Sequence, residues 1–233
     1  MKKNFRLIYN DAALEQKISN IQKTVKLHMN GTTAHAMQEM GLKYDHNYGV
    51  SIPELRSVAR TITPDKNLAI RLWQINIREM KILGTLLFPA TQLDREKAEV
   101  WQDECDNIEL TEQAVMNLFQ HWPEAVDFSL DCLQSDNKNK LIFGLLLAQR
   151  TYGRFNAEQT EKLIDKIIDI INRSTDMLVA RYTGTALAAF CHKNREVALR
   201  LKKLAYQLDD SEKHYQQIIK QLIEQEIEFL GPN

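Results

Sequence analysis

Lysine and arginine side chains that could bind phosphate groups are the first candidate functional residues in this chain. Eight of them fall on predicted helices that could line one concave face: Arg56, Arg60, Lys81, Lys138, Lys140, Arg150, Arg181 and Lys193. Contacts of this kind with a nucleic-acid backbone give affinity without reading the base sequence. The alternative is that these charges are solvated and spread around the molecule, and the sequence leaves both interpretations open.

The charges are segregated along the chain although the net charge is only −1. Residues 1–90 hold 13 Lys and Arg against 7 Asp and Glu, and residues 138–206 hold 13 against 6. Residues 91–137 hold 2 against 12, and residues 207–233 hold 2 against 6. Two basic blocks on either side of an acidic block could contact a polyanion at two places. Solvated faces without a common partner are the alternative.

The sequence lacks the motifs of nucleotide-binding loops, of zinc metalloproteases and of serine hydrolases. The sequence has no GxGxxG or GxxxxGK[ST] phosphate loop, no HExxH and no GxSxG. Its six histidines are scattered, which predicts no metal site and no cofactor. Three cysteines without CxxC spacing (Cys105, Cys132 and Cys191) argue against disulfides and zinc, and they predict a reducing, cytoplasmic location.

The composition describes a packed globular protein. Hydrophobic residues make up 44% and charged residues 26%, with only 8 Gly and 5 Pro. These values exclude a disordered or collagen-like chain. The longest apolar runs, such as residues 143–148, are too short to span a bilayer, and residues 1–10 lack the long apolar core of a secretory signal. The sequence therefore predicts no membrane association.

Helical periodicity dominates the sequence, and no alternating pattern of strand length is present. The first helix is predicted at 11–29, with Asn30-Gly31 as its C-terminal cap, and the second at 33–40. Ser51-Ile52-Pro53-Glu54 is a capping box that predicts the start of the third. Further helices are predicted at 66–75, 77–88, 92–104, 108–120, 123–134, 138–152, 157–172, 175–192, 195–207 and 210–229.

The spacing of the later helices predicts a repeat protein. Helices that begin near 77, 108, 138, 175 and 210 lie roughly 30 to 37 residues apart, and a second set interleaves with them. Paired helices with such a period are typical of an all-α solenoid, in which each pair buries its apolar face against the next. No Pro-, Gly- or Ser-rich linker divides the chain, which predicts one domain over 1–233. An irregular helical bundle is the alternative.

One segment carries a family resemblance. Gly49-Val50-Ser51-Ile52-Pro53-Glu54-Leu55-Arg56 is followed by Leu72-Trp73, by Glu79 and later by Ser135-Asp136-Asn137. These motifs resemble those of the DNA alkylation repair proteins of the AlkD type, over roughly residues 20–205. The resemblance implies a HEAT-like helical-repeat solenoid, an α-α superhelix. It also implies a concave basic face that holds double-stranded DNA.

The resemblance further implies a site in which a carboxylate, a cation and two Trp rings surround a cationic alkylated base. A carboxylate and π faces would stabilise the positive charge that builds on the sugar as the base leaves. Laying the family motif on this chain from its Trp gives Trp101 with Asp103 or Asp106, and laying it from the helix start gives Cys105 at the Trp position with Glu109 as the carboxylate. Trp101, Asp106 and Glu109 are therefore the candidate catalytic residues. Lys140 lies nearest the expected arginine, and Tyr182 nearest the second Trp.

Three functional hypotheses follow. The first is a DNA alkylation repair-like protein that binds damaged or branched DNA without needing excision activity. The second is an active alkylpurine DNA glycosylase, a hydrolase of the N-glycosidic bond. The third is a protein-interaction solenoid without nucleic acid, which the acidic central block favours.

Overall fold

The computed structural model describes residues 11–42, 44–208 and 213–231. These residues form thirteen α-helices and three short 3-10 turns, without a β-strand, and the prediction of an all-α protein is confirmed. The helices are α1 (Ala12–Lys26), α2 (Gly31–Glu39), α3 (Ile52–Arg60), α4 (Lys66–Trp73), α5 (Arg78–Leu87), α6 (Arg95–Asp103), α7 (Ile108–Asn117), α8 (Ala125–Cys132), α9 (Lys138–Thr151), α10 (Ala157–Arg173), α11 (Met177–Cys191), α12 (Arg195–Gln207) and α13 (His214–Leu230). The 3-10 turns are Ala90–Gln92, Phe119–His121 and Tyr152–Arg154.

The predicted role of Asn30-Gly31 is wrong. The first helix already ends at Lys26, and Asn30 is the N-cap of α2, where its Oδ1 accepts a hydrogen bond from the Thr33 amide at 3.0 Å. The Asn30 amide donates to the Tyr48 carbonyl at 2.8 Å. Asn is favoured at both helix ends, and here its side chain caps the start of α2.

The chain forms two compact units, residues 1–89 and residues 90–233. In the first unit, α5 packs against α3 and α4, and α1 packs against α3 and α4. Its core includes fully buried Leu55, Leu68, Leu72 and Leu83. The prediction of one domain over residues 1–233 stays a prediction.

A buried ion pair at the start of α5 holds the segment that leads into α3. The side chains of Arg78 and Glu79 are both 0% exposed, and Arg78 Nη1 donates to Glu79 Oε1 at 2.9 Å. Glu79 also accepts from the backbone amides of Tyr48 at 3.1 Å and Val50 at 3.2 Å. Arg78 Nη1 donates to the Val50 carbonyl at 2.8 Å. The Glu of the family-like motif is therefore an anchor for the backbone just before α3.

Gly49 is required where this segment passes α2. Its φ is +69°, and a Cβ built on it would lie 2.1 Å from the Asn30 carbonyl oxygen and 2.7 Å from the Ala34 nitrogen. Both neighbours are backbone atoms, so they cannot rotate away as a flexible side chain would. The glycine of the family-like motif therefore permits the close approach of two backbone segments.

Gly49→Ala should lower the free energy of unfolding by about 2–3 kcal/mol, through the positive φ and the overpacking together. Urea denaturation followed by circular dichroism measures this loss. Gly31→Ala is the matched control, because a Cβ at Gly31 would meet nothing within 4 Å. Equal stability of the two variants would contradict the close approach.

The second unit stacks helices in two rows. Helices α7, α9, α11 and α13 pack successively against one another, and α8, α10 and α12 pack against members of that row. Four aromatic side chains fill the core beside α8 and α9: Phe119, Trp122, Phe128 and Phe143. Trp122 Nε1 donates to the Leu93 carbonyl at 2.8 Å, which satisfies the indole while it is buried. Each helix thus buries its apolar face against the next pair, as the repeat spacing predicts.

Two sequence predictions concern residues outside the described ranges. The exclusion of a secretory signal rests on residues 1–10, and the start predicted for the last helix falls on residues 210–212. Among the described helices, none combines the length and the apolar character needed to cross a membrane.

Candidate nucleic-acid interface and carboxylate site

Helix α3 presents two arginines on its outward side. Its start is a capping box in which the Glu54 amide donates to Ser51 Oγ and the Ser51 amide donates to Glu54 Oε2. Hydrogen bonds from the hydroxyl and then the amide of Ser51 hold the pKa of Glu54 below its ordinary value. Leu55 and Val58 are buried, which directs the opposite side of the helix to solvent.

Arg56 and Arg60, here called the α3 cation pair, lie one turn apart on that outward side. Arg60 is exposed and Arg56 is half-buried. Neither forms an ion pair with any residue that the structure describes. Their guanidinium groups are therefore not neutralised within the described part of the fold.

Lys81 lies on α5 in the same unit. Its Nζ is 5.4 Å from the centroid of the Trp73 ring, a cation–π distance. Trp73 is only 2% exposed, so its indole belongs to the core. Lys81 is half-exposed, so its ammonium group can still be reached from solvent. The ring orients the lysine without cancelling its charge.

The first turn of α9 carries Lys138 and Lys140 after the N-cap Asn137. Lys138 Nζ donates to Asp176 Oδ2 at 2.6 Å. Burial would raise the pKa of Asp176, but hydrogen bonds from Lys138 and from the α11 backbone outweigh it and lower that pKa. Lys138 is thus neutralised, whereas half-buried Lys140 has no carboxylate partner among the described residues.

The other three predicted cations differ in their surroundings. Lys193 Nζ donates to the carbonyl oxygens of Tyr152, at 3.2 Å, and Phe155, so it satisfies the end of a 3-10 turn. Arg150 Nε donates to the neutral Gln120 Oε1 at 3.2 Å and keeps its charge. Arg181 is exposed on α11 and has no ion pair within the described ranges. Lys193 is therefore engaged in the fold, and the two arginines are available.

The three predicted catalytic residues do not share one surface. Trp101 is 3% exposed in α6, and its carbonyl lies 3.2 Å from Cys105 Sγ. Asp106 is exposed, and its Oδ1 accepts from the Asn107 side chain at 3.1 Å. Glu109 is half-buried in the first turn of α7, where a negative charge suits the helix dipole. The two carboxylates flank the start of α7, while the indole lies in the interior.

A carboxylate that the sequence analysis missed lies one turn further along α7. Glu112 Oε1 accepts a hydrogen bond from Tyr182 Oη at 2.7 Å, and the two side chains are half-buried. Burial first, and then the hydrogen bond and charge of Glu112, raise the pKa of Tyr182 above its ordinary value. This α7–α11 pair combines a carboxylate with an aromatic ring, which can stabilise a nearby cation. Its position three residues after Glu109 was the available sequence signal.

The raised pKa of Tyr182 predicts a specific loss of stability in alkali. Above about pH 10, the unfolded phenol loses its proton while the folded one keeps it, so this contribution to stability falls as the pH rises. The midpoint of urea unfolding should therefore fall more steeply from pH 9 to 11 in the wild type than in Tyr182→Phe. Tyr206→Phe, which removes an exposed hydroxyl, is the control and should follow the wild type. Parallel curves for all three proteins would contradict the coupling.

Comparison with known proteins identifies the family. A family of DNA alkylation repair enzymes matches residues 21–138, just over half of the chain. The chain belongs to this family. The predicted membership is thereby confirmed. No curated protein sequence matches the chain.

A solved structure shares the fold of this DNA alkylation repair family member. It comes from work on a new family of proteins related to the HEAT-like repeat DNA glycosylases, with affinity for branched DNA structures. It is 12% identical, with a TM-score of 0.77, over 91% of this chain and 94% of the other. The prediction of a HEAT-like repeat fold is confirmed. Among the described residues of this family member, no group of three His, Cys, Asp or Glu could hold a metal ion.

Proposed function

We propose that this DNA alkylation repair family member binds damaged or branched DNA and does not require excision activity to do so. The observation that carries the proposal is the state of the predicted cations. Five of them are held by no carboxylate, no backbone carbonyl and no aromatic ring in the described part of the chain: Arg56, Arg60, Lys140, Arg150 and Arg181. Lys138 pairs with Asp176, Lys193 donates to two carbonyls, and Lys81 lies over the Trp73 ring. The affinity of a structurally similar protein for branched DNA supports it.

Phosphate binding is the chemistry that these five side chains share. Each contact of a cation with a DNA phosphate releases condensed counterions, which gives affinity that falls as the salt concentration rises. Lys138 and Lys193 are assigned weaker roles, because a carboxylate and two carbonyl oxygens already occupy their ammonium groups. The side chains proposed to contact DNA phosphates in each unit are therefore mostly arginines.

A titration of the full chain tests this function. The ligands are a linear duplex, an alkylated duplex of the same sequence and a four-way junction, each at low and moderate salt. We expect salt-sensitive binding that is tightest for the junction or the alkylated duplex. Absence of binding to all three at low salt would overturn the proposal and favour the protein-interaction hypothesis.

The α7–α11 pair favours one second candidate, an alkylpurine DNA glycosylase. Glu112 accepts a hydrogen bond from the Tyr182 hydroxyl, and a carboxylate beside an aromatic ring would stabilise the positive charge that builds on the sugar as a cationic base leaves. Release of free alkylated base from the alkylated duplex measures this activity. We expect Glu112→Gln to reduce it more than Asp106→Asn or Glu109→Gln. No release by the wild-type protein would exclude this candidate and leave DNA binding intact.

The proposed location is the cytoplasm. The three cysteines are free and buried, and burial raises the pKa of Cys132 and Cys191 to about 12, so these thiols stay protonated. Such thiols have packing roles and are poor nucleophiles. Fractionation of cells that make the protein would test the location.

A further inference from the structure

Helix α12 carries an exposed stripe that the proposed function does not use. Arg195, Leu199, Lys202 and Tyr206 follow one another at spacings of four, three and four residues, which places them on one side of the helix. Leu199 is 50% exposed and Tyr206 is 63% exposed. We call these four residues the α12 stripe. Cationic and apolar side chains alternate along it.

The remainder of α12 accounts for why the stripe faces outward. Val197, Leu201 and Leu204 are buried in the core of the second unit. Arg200 points to α10, where it pairs with Glu161 and, at 2.9 Å, with Asp165. The helix thus buries one side and neutralises the arginine beside it.

The cations of the stripe have no such neutralisation. Arg195, Lys202 and the adjacent Lys203 are exposed, and none pairs with a carboxylate in the ranges that the structure describes. With a rise of about 1.5 Å per residue, Arg195 and Tyr206 are about 16 Å apart along the helix. This surface therefore offers separated positive charges with apolar contacts between them.

We propose that the α12 stripe binds single-stranded DNA of the kind present where a duplex branches or frays. Proteins bind single strands by combining cations along the backbone with aromatic side chains on which bases stack. An intact duplex would use the cations but would leave Tyr206 and Leu199 without a role, because its bases are already stacked. This inference rests on the proposed function, because it assumes that the chain binds DNA.

Fluorescence anisotropy with a labelled oligothymidine tests the proposal on the full chain. Lys202→Ala/Lys203→Ala should reduce the slope of log K against log salt by about 1.4, since each single-strand phosphate contact contributes about 0.7. Tyr206→Ala should weaken binding on the order of tenfold, and Tyr206→Phe should bind like the wild type because it keeps the stacking ring.

Two matched controls distinguish an effect of the stripe residues from the loss of any positive charge and from the loss of any exposed aromatic ring. Lys162→Ala removes a lysine of α10 that is already paired with Glu158 at 2.6 Å. Phe229→Ala removes an aromatic ring that is 82% exposed on a different helix, α13. Both variants should bind oligothymidine like the wild type. An equal loss in the controls and the stripe variants would overturn the proposal.

The same variants measured on a linear duplex and a four-way junction distinguish this inference from the proposed function. Loss of oligothymidine binding with unchanged duplex binding supports the stripe as a single-strand site. If Tyr206→Ala and Lys202→Ala/Lys203→Ala bind oligothymidine as tightly as the wild type does, and junction binding is intact, the inference about the stripe is overturned but the proposed function is not. Tighter binding of polyglutamate than of oligothymidine by the wild type also overturns it, in favour of an acidic protein partner. Failure of the wild type to bind any DNA overturns both.

Discussion

Replacing Glu79 with alanine should lower the free energy of unfolding by about 3–5 kcal/mol, because it breaks a buried ion pair by removing its carboxylate. Arg78 has no exposed side-chain surface, so water cannot replace the lost carboxylate. The substitution also removes the acceptor for the amides of Tyr48 and Val50. A buried, unsatisfied amide adds to the loss.

Urea denaturation at neutral pH, followed by circular dichroism, measures this effect. Glu158→Ala is the control, since that glutamate is exposed and pairs with Lys162 on the helix surface, and its removal should leave stability nearly unchanged. The stability of Glu79→Gln should lie between those of the two alanine variants, because the glutamine side chain keeps one acceptor oxygen but loses the charge. A Glu79→Ala protein as stable as Glu158→Ala would show that the buried pair does not anchor the backbone just before α3.

Neutralising the α3 cation pair should have the largest effect on DNA binding. Loss of two duplex phosphate contacts reduces the slope of log K against log salt by about 1.8 and the affinity on the order of 50-fold at 0.1 M salt. We therefore expect Arg56→Ala/Arg60→Ala to bind linear duplex and four-way junction more weakly by similar factors. Anisotropy titrations at several salt concentrations measure both quantities.

Arg71→Ala is the matched control for this experiment. Arg71 belongs to the same unit, but its Nε already donates to Glu15 Oε1 at 2.7 Å. Its removal lowers the net charge by one without removing an available guanidinium group. If Arg71→Ala changed the salt slope by half as much as the double variant, net charge rather than the α3 cation pair would account for the affinity.

The first unit, which contains α3, carries a net positive charge. Residues 1–89 hold 13 Lys and Arg against 7 Asp and Glu, whereas residues 90–233 hold 17 against 24. A polyanion is attracted to the first unit and repelled by the net charge of the second. The net negative charge of the second unit weakens the attraction that its own cations, including Lys140 and Arg181, exert on DNA.

Local sequence signals predicted most of the helices. The predicted capping box at Ser51 begins α3, and the structure shows a second one at Asn156 that begins α10, because each satisfies backbone amides with side chains only three residues away. Periodic apolar residues such as Ile18, Ile21 and Val25 identify α1 in the same way, and they are buried. Asn30 is the exception, because Asn-Gly is also typical of a helix C-terminus, although here the Asn30 side chain accepts from the Thr33 amide at the start of α2.

The sequence by itself determined the all-α class, the helix pairs, the family resemblance and the set of candidate cations. Only the tertiary structure decided which of those cations are available. Lys138 meets Asp176 and Lys193 meets two carbonyls about forty residues away, whereas Arg56 and Arg60 meet no counter-charge within the described residues. Glu112 and Tyr182, seventy positions apart, become a pair in the same manner. Helix formation depends on neighbours within one turn, but charge pairing depends on which turns of different helices face each other, and packing sets that register.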